Sequence, residues 1–206
     1  MTVEFLRRSP LAGYLGITEI PFLTMVNVRV SPTSAAAARI SARLGGPLPV
    51  VPGAVVDAGD RDILWLGPDE WLVVGPDGDT GLAELLTEPG ASIVDVSANR
   101  TTVEVRSREL LEHGCTLDLH PRALHAGHCA QTTIARTQVI LWQTSDEPVY
   151  RLLVRGSFAT YLADWLVDVS RCVSAMSNAP RTSTGAAGAQ VNDLGITRDH
   201  PHRESR

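Results

Sequence analysis

The chain has 206 residues, 44% of them hydrophobic and 20% charged, with a formal net charge of −5 and a pI near 5.6. Such globular usage excludes a wholly disordered or collagen-like chain, and three cysteines are too few for a disulfide scaffold. The acidic balance argues against a nucleic-acid partner, which needs a basic face to release counterions, and because all 18 basic residues are arginine, Schiff-base chemistry and a phosphate-loop lysine are excluded.

The first strong element is Phe22–Val30, whose alternation of Thr24, Val26, Val28 and Val30 with Met25, Asn27 and Arg29 predicts a strand. Ser31-Pro32-Thr33-Ser34 supplies a stop and a cap for an alanine-rich helix over Ala35–Leu44, which Gly45-Gly46-Pro47 ends. After a proline-punctuated loop, Ile63–Leu66 and Trp71–Val74 read as a hairpin closed by Gly67-Pro68-Asp69-Glu70. A short helix over Gly81–Leu86 is expected to be capped by Asp79 or Thr80. Strands follow at Ser92–Val96 and Thr101–Arg106, then a helix over Arg108–Glu112 capped by Ser107 and closed by Gly114.

The second half repeats this style. Thr132–Arg136, Gln138–Trp142 and Tyr150–Val154 predict three short strands. Ser157 is expected to cap the best helix of the chain. Its Phe158, Tyr161, Leu162, Trp165, Leu166 and Val169 form one wide apolar stripe, expected to pack on the core. Hairpins mixed with packed helices predict an α+β fold, an antiparallel sheet covered by helices on one side. The composition changes near Ala175, so a domain over residues 1–174 and a flexible C-terminal tail over 175–206 are expected. No run reaches the 18 apolar residues of a membrane span, and no clean hydrophobic stretch follows Arg7-Arg8. A cytoplasmic protein with Cys115, Cys129 and Cys172 as free thiols is therefore expected.

The densest polar cluster runs from His113 to Cys129 and includes Cys115, Asp118, His120, His125 and His128. Imidazole and thiolate are zinc ligands, but no C-x₂-C pair and no H-E-x-x-H motif is present, so surface and hairpin histidines without metal are expected. No G-x-S-x-G motif occurs, and no G-x-G-x-x-G follows a strand. Asp95-Val96-Ser97 is read as a local turn. No catalytic, cofactor-binding or metal-binding residue is assigned.

Several segments together resemble one family. They are Arg8-Ser9-Pro10-Leu11, Glu19–Thr24, Val26–Arg29, Leu64–Leu72, Asp95-Val96-Ser97 with Arg100-Thr101-Thr102, Gly114-Cys115 with Leu117–Arg122, and Ser157-Phe158-Ala159 with Tyr161-Leu162 and Trp165-Leu166. In this order, with the Gly67-Pro68-Asp69-Glu70-Trp71 hairpin, they resemble the gamma subunits of heterotetrameric sarcosine oxidases over about residues 7–170. The resemblance implies two similar β/α halves, like the folate-binding domain of aminomethyltransferases. It implies a complex with alpha, beta and delta subunits that converts sarcosine to glycine with hydrogen peroxide and methylene-tetrahydrofolate. FAD, FMN, NAD, zinc and tetrahydrofolate are then expected in the partner subunits and none in this chain, whose role is structural. Docking around the Gly67–Trp71 hairpin and the Ser157–Val169 helix is expected, with Trp71 and Trp165 as candidate anchors or, alternatively, core residues. A stand-alone tetrahydrofolate-binding protein is the second possibility; it needs a carboxylate and an arginine in a concave pocket, for which Asp95 and Arg100 are available.

Overall fold

The computed structural model describes residues 9–13 and 18–177. Arg7-Arg8 and the tail from residue 178 onward lie outside the described residues. The chain runs β1 (Thr18–Ile20), β2 (Leu23–Arg29), α1 (Ala35–Leu44), β3 (Val55–Asp57), β4 (Asp62–Gly67), β5 (Glu70–Asp77), α2 (Leu82–Leu86) and β6 (Ser92–Asp95). It continues through β7 (Arg100–Val105), α3 (Arg108–Glu112), β8 (His128–Ile134), β9 (Thr137–Gln143), β10 (Tyr150–Arg155) and α4 (Gly156–Ser177). No helix among the described residues is long and apolar enough to cross a membrane.

The strands make two five-stranded antiparallel sheets, one ordered β3-β4-β5-β2-β6 and the other β1-β7-β10-β9-β8. Strand side chains alternate between faces, and here both faces are apolar because both are covered. On β2 and β5, Val26, Val28, Trp71 and Val73 point outward to Ile40 and Leu44 of α1 and to Leu82 and Leu86 of α2. On the opposite face, Met25, Leu72 and Val74 meet Ile140, Trp142 and Leu153 of the second sheet. The outer face of that sheet, with Val139, Leu141, Leu152 and Val154, packs on Leu111 of α3 and on Ala159, Leu162, Ala163 and Leu166 of α4. The result is a helix–sheet–sheet–helix stack, held by three apolar layers. Each buried aliphatic side chain contributes about 1.5–3 kcal/mol relative to an exposed one.

The local signals that hold are those with a specific backbone partner. Ser34 Oγ accepts from Ala37 N at 3.1 Å, and Gly45 takes the left-handed conformation at φ 77° that ends α1. Ser107 Oγ accepts from Leu110 N at 3.2 Å and starts α3. Pro68 and Asp69 form the tip of the β4–β5 hairpin.

Four expectations are corrected. Asp79 does not cap α2: its carboxylate receives Arg61 Nε at 2.7 Å, and Gly81 stands at the cap with no side-chain bond. Ser157 does not cap α4, because the helix starts at Gly156, directly out of β10. The strand expected at Thr132–Arg136 begins at His128 and stops at Ile134; Ala135 and Arg136 instead form a tight turn at φ 49° and 68°. Non-glycine residues seldom adopt that conformation, so no turn signal announced it. Finally, α4 extends to Ser177, so residues 175–177 continue the helix rather than open the tail. The three-residue strands β1 and β3 were not expected, being too short for a periodic signal.

Candidate functional site

The His113–Cys129 cluster is dispersed by the fold. Cys129 sits on β8 with its side chain in the inter-sheet layer, donates to Trp65 O at 3.3 Å, and has its thiol pushed up to about 12 by burial. A thiol held protonated in this way is neither a ready ligand nor a nucleophile. Cys115 is half-buried against the α3/α4 layer. His113 Nδ1 lies 2.8 Å from Glu109 O on its own helix. Asp118 accepts from His120 N at 2.9 Å and from Arg122 Nη2 at 3.1 Å; these bonds, the backbone one foremost, hold its carboxyl below the usual range. His125 and His128 do meet, with ring centroids 3.6 Å apart, and desolvation followed by the neighbouring His125 lowers the His128 pKa. Among the described residues, no three histidine, cysteine or acidic side chains converge on one point.

Asp95 behaves as a turn residue: its Oδ1 accepts from Ser97 N at 2.8 Å and from Ser97 Oγ at 2.6 Å. Arg100 lines a cavity of about 410 Å³ with Pro21, Phe22, Ser97, Thr101 and Gly156. Of these, Thr101 donates from Oγ1 to the carboxylate of Glu19, which also accepts from Ser9 Oγ. Phe22 enters this wall at φ 62°, a conformation costly for a bulky residue. Asp95 lines a second, adjoining hollow that shares Ser97 and Ala98 with the Arg100 cavity, and no hydrogen bond or ion pair joins Asp95 to Arg100 among the described residues.

The two tryptophans divide. Trp71 is wholly buried beneath α1 and donates from Nε1 to Pro49 O at 2.8 Å, pinning the proline loop; it is a core residue and not an interface anchor. Trp165 is half-buried, with its ring lying over Gly114, where an added Cβ would come within 2.5 Å of the ring. Gly114 therefore serves close approach rather than a special backbone angle.

Sequence reasoning missed the outward half of the α4 stripe. Ala159, Leu162, Ala163 and Leu166 fill the core, whereas Phe158 and Tyr161 remain 48% and 47% exposed. One turn apart on the same helix, and followed by Trp165, they form an aromatic ridge. The signal was in the sequence: a stripe from Phe158 to Val169 is broader than a helix on one sheet needs to bury.

A stack of two facing antiparallel sheets between helices is an α+β architecture similar to that of glycine cleavage system aminomethyltransferase T. The Bartonella henselae structure of that protein gives a TM-score of 0.55 at 12% identity, over 75% of this chain and 46% of that one, a likeness of fold. Residues 29–172 match the Sarcosine oxidase, gamma subunit family, and the chain belongs to that family. The sarcosine oxidase subunit gamma of an Arthrobacter species is 38% identical over 173 residues, 80% of this chain and 84% of the relative. That of Corynebacterium sp. strain U-96 is 34% identical over 185 residues, 79% and 89% of the two chains. A chain in the structure of heterotetrameric sarcosine oxidase from Corynebacterium sp. U-96, in complex with pyrrole 2-carboxylate, gives a TM-score of 0.75 at 30% identity, covering 82% of this chain and 97% of that one.

Proposed function

We propose that this chain is the structural, non-catalytic gamma subunit of a cytoplasmic heterotetrameric sarcosine oxidase that demethylates sarcosine to glycine, with alpha, beta and delta subunits as partners. FAD, FMN, NAD, zinc and tetrahydrofolate belong to those partners in this reading, since oxidising an amine needs a cofactor to carry the electrons. The observation that carries the structural role is the ridge of Phe158 and Tyr161 on α4. Exposed aromatic side chains are the residues that most often dominate protein interfaces, and these stand on a rigid helix backed by the core. Of the two expected docking regions, the α4 helix offers these exposed rings, whereas Trp71 of the hairpin is buried.

The fold further supports two halves built on one plan. In each, a strand is followed by a helix, a three-strand meander and a second helix: β2-α1-β3-β4-β5-α2, then β7-α3-β8-β9-β10-α4. Their sheets match position by position, with β6 and β1 taking the same edge place.

The test is to express the chain alone and with its partner subunits, then record the flavin spectrum and sarcosine-dependent peroxide. The isolated chain is expected to be colourless and inactive, and to co-purify with the partners. Flavin or peroxide production by the chain alone overturns the structural role. Tight binding of tetrahydrofolate by the isolated chain supports the stand-alone folate binder instead.

A further inference from the structure

We propose that a row of side chains on the inner face of the second sheet, Arg100–Arg155–Gln138–Thr133, is a binding site for an oxyanion, a carboxylate or phosphate gripped between the two guanidinium groups.

The row follows from register. Arg100 and Arg155 are direct cross-strand partners on β7 and β10. One step beyond the Val154–Val139 pair, β9 presents Gln138, which is paired in turn with Thr133 on β8. All four share a face with Leu153 and Ile140, the face that elsewhere meets the first sheet. In the neighbouring row the exposed Gln131, opposite Ile140, reaches across to donate from Nε2 to Leu66 O of β4 at 3.0 Å. Together with Gln131 and Ile140, the row lines an open cavity of about 260 Å³.

Like charges directly opposed across two strands destabilise a sheet. Several arginines elsewhere are paired with acids: half-buried Arg61 with Asp79, and the exposed Arg39 and Arg43 with Glu88. Here no acidic residue lines the cavity. The exposed Arg155 makes no side-chain hydrogen bond or ion pair among the described residues, and the half-buried Arg100 has a single long one, Nη1 to Leu153 O at 3.5 Å. Burial, and then Arg155 beside it, pull the Arg100 pKa below the ordinary arginine value. Two forked donors opposed across the strand pair, flanked by an amide and a hydroxyl, fit an oxyanion; guanidinium forks match carboxylate and phosphate oxygens in paired hydrogen bonds. The oxygens can come from a free small molecule or from an acidic side chain of a partner subunit.

The test uses the purified full chain. Its Tm is followed in succinate and in inorganic phosphate against sodium chloride at equal ionic strength. A free-ligand site raises Tm by about 2–4 °C in either oxyanion. Arg155→Gln abolishes that rise and itself raises Tm in chloride, because the repulsion is gone. Arg155→Lys keeps the charge but loses the fork, so it leaves the chloride Tm unchanged and weakens the response. If the oxyanion comes from a partner subunit, free succinate and phosphate do nothing, and Arg155→Gln lowers recovery of the assembled complex by about tenfold, whereas Arg106→Gln, at an exposed arginine already paired with Glu104, does not. A Tm rise that survives Arg155→Gln is a general salt effect and overturns the proposal. So does a chain that responds to neither oxyanion and assembles at the parental yield as Arg155→Gln.

Discussion

The two longest outer helices do the same packing work and present opposite faces to the outside. α1 lays Ala36, Ala37, Ile40 and Leu44 on the first sheet; α4 lays Ala159, Leu162, Ala163 and Leu166 on the second. The outward side of α1 is alanine and arginine, and its arginines are held by one acid: Glu88 receives Arg39 Nη2 at 2.7 Å and Arg43 Nη2 at 2.8 Å. The outward side of α4 carries Phe158 and Tyr161 with half of each ring in the open. The difference teaches that burying a sheet needs only a narrow apolar stripe of small and aliphatic side chains. Aromatic residues beyond that stripe are available for another chain.

The largest effect expected is beneath α1. Trp71→Ala empties the centre of the layer that α1 covers and orphans Pro49 O, so it should destabilise the isolated chain by about 3–5 kcal/mol in denaturant titration. A loss below about 1 kcal/mol would mean that Trp71 is not the keystone of the α1 side. Beneath α4, Gly114→Ala drives a methyl group into the Trp165 ring, which has the core behind it. A loss of about 1–3 kcal/mol is expected, and Gly114→Ala combined with Trp165→Leu should cost less than the two changes added. Strict additivity in that cycle would remove the close approach as the reason for the glycine.

Glu88 sharpens the comparison from the charged side. Its hydrogen bond and ion pairs with Arg39 and Arg43 lower its pKa from the ordinary 4.5. The carboxylate form is thus the one the fold favours. The stability it contributes is fully present above about pH 4.5 and is lost as pH falls through the lower folded value. Tm measured from pH 7 to 3 should fall less steeply on the acid side in Glu88→Gln; identical acid limbs would show that the clamp does not titrate. The smallest effect on stability is expected at the α4 ridge. Phe158→Ser with Tyr161→Ser should change the isolated chain by less than about 0.5 kcal/mol, yet sharply reduce co-purification with the partner subunits. A large stability loss, or unimpaired assembly, would make the two helices alike after all.

Much of this chain was legible one element at a time. Ser34, Ser107 and Gly45 announced helix ends because a cap is a contact between neighbours in sequence. The Pro68-Asp69 hairpin was legible for the same reason. The family resemblance was likewise carried by ordered local segments. The errors came where a side chain chose a distant partner over a near one. Asp79 looked like a cap but pairs with Arg61 from β4. For Trp71, where the sequence left anchor and core both open, the distant contact decided for the core: it is folded under α1, with its indole N–H on the proline loop.

By itself the sequence determined the types and order of the longer strands and helices, the helix ends at Ser34, Gly45 and Ser107 and the surplus of apolar residues on α4, since each is set by periodicity or by bonds within a few residues. Only the tertiary structure decided which face of each strand meets a helix and which meets the other sheet, because both faces are apolar and alternation alone does not rank them. It alone decided that Phe158 and Tyr161 stay outside while Leu162 goes in, a matter of how far α4 rolls on its sheet. And it alone opposed Arg100 to Arg155, 55 residues apart in the chain, because strand register is fixed by the whole sheet and not by either strand.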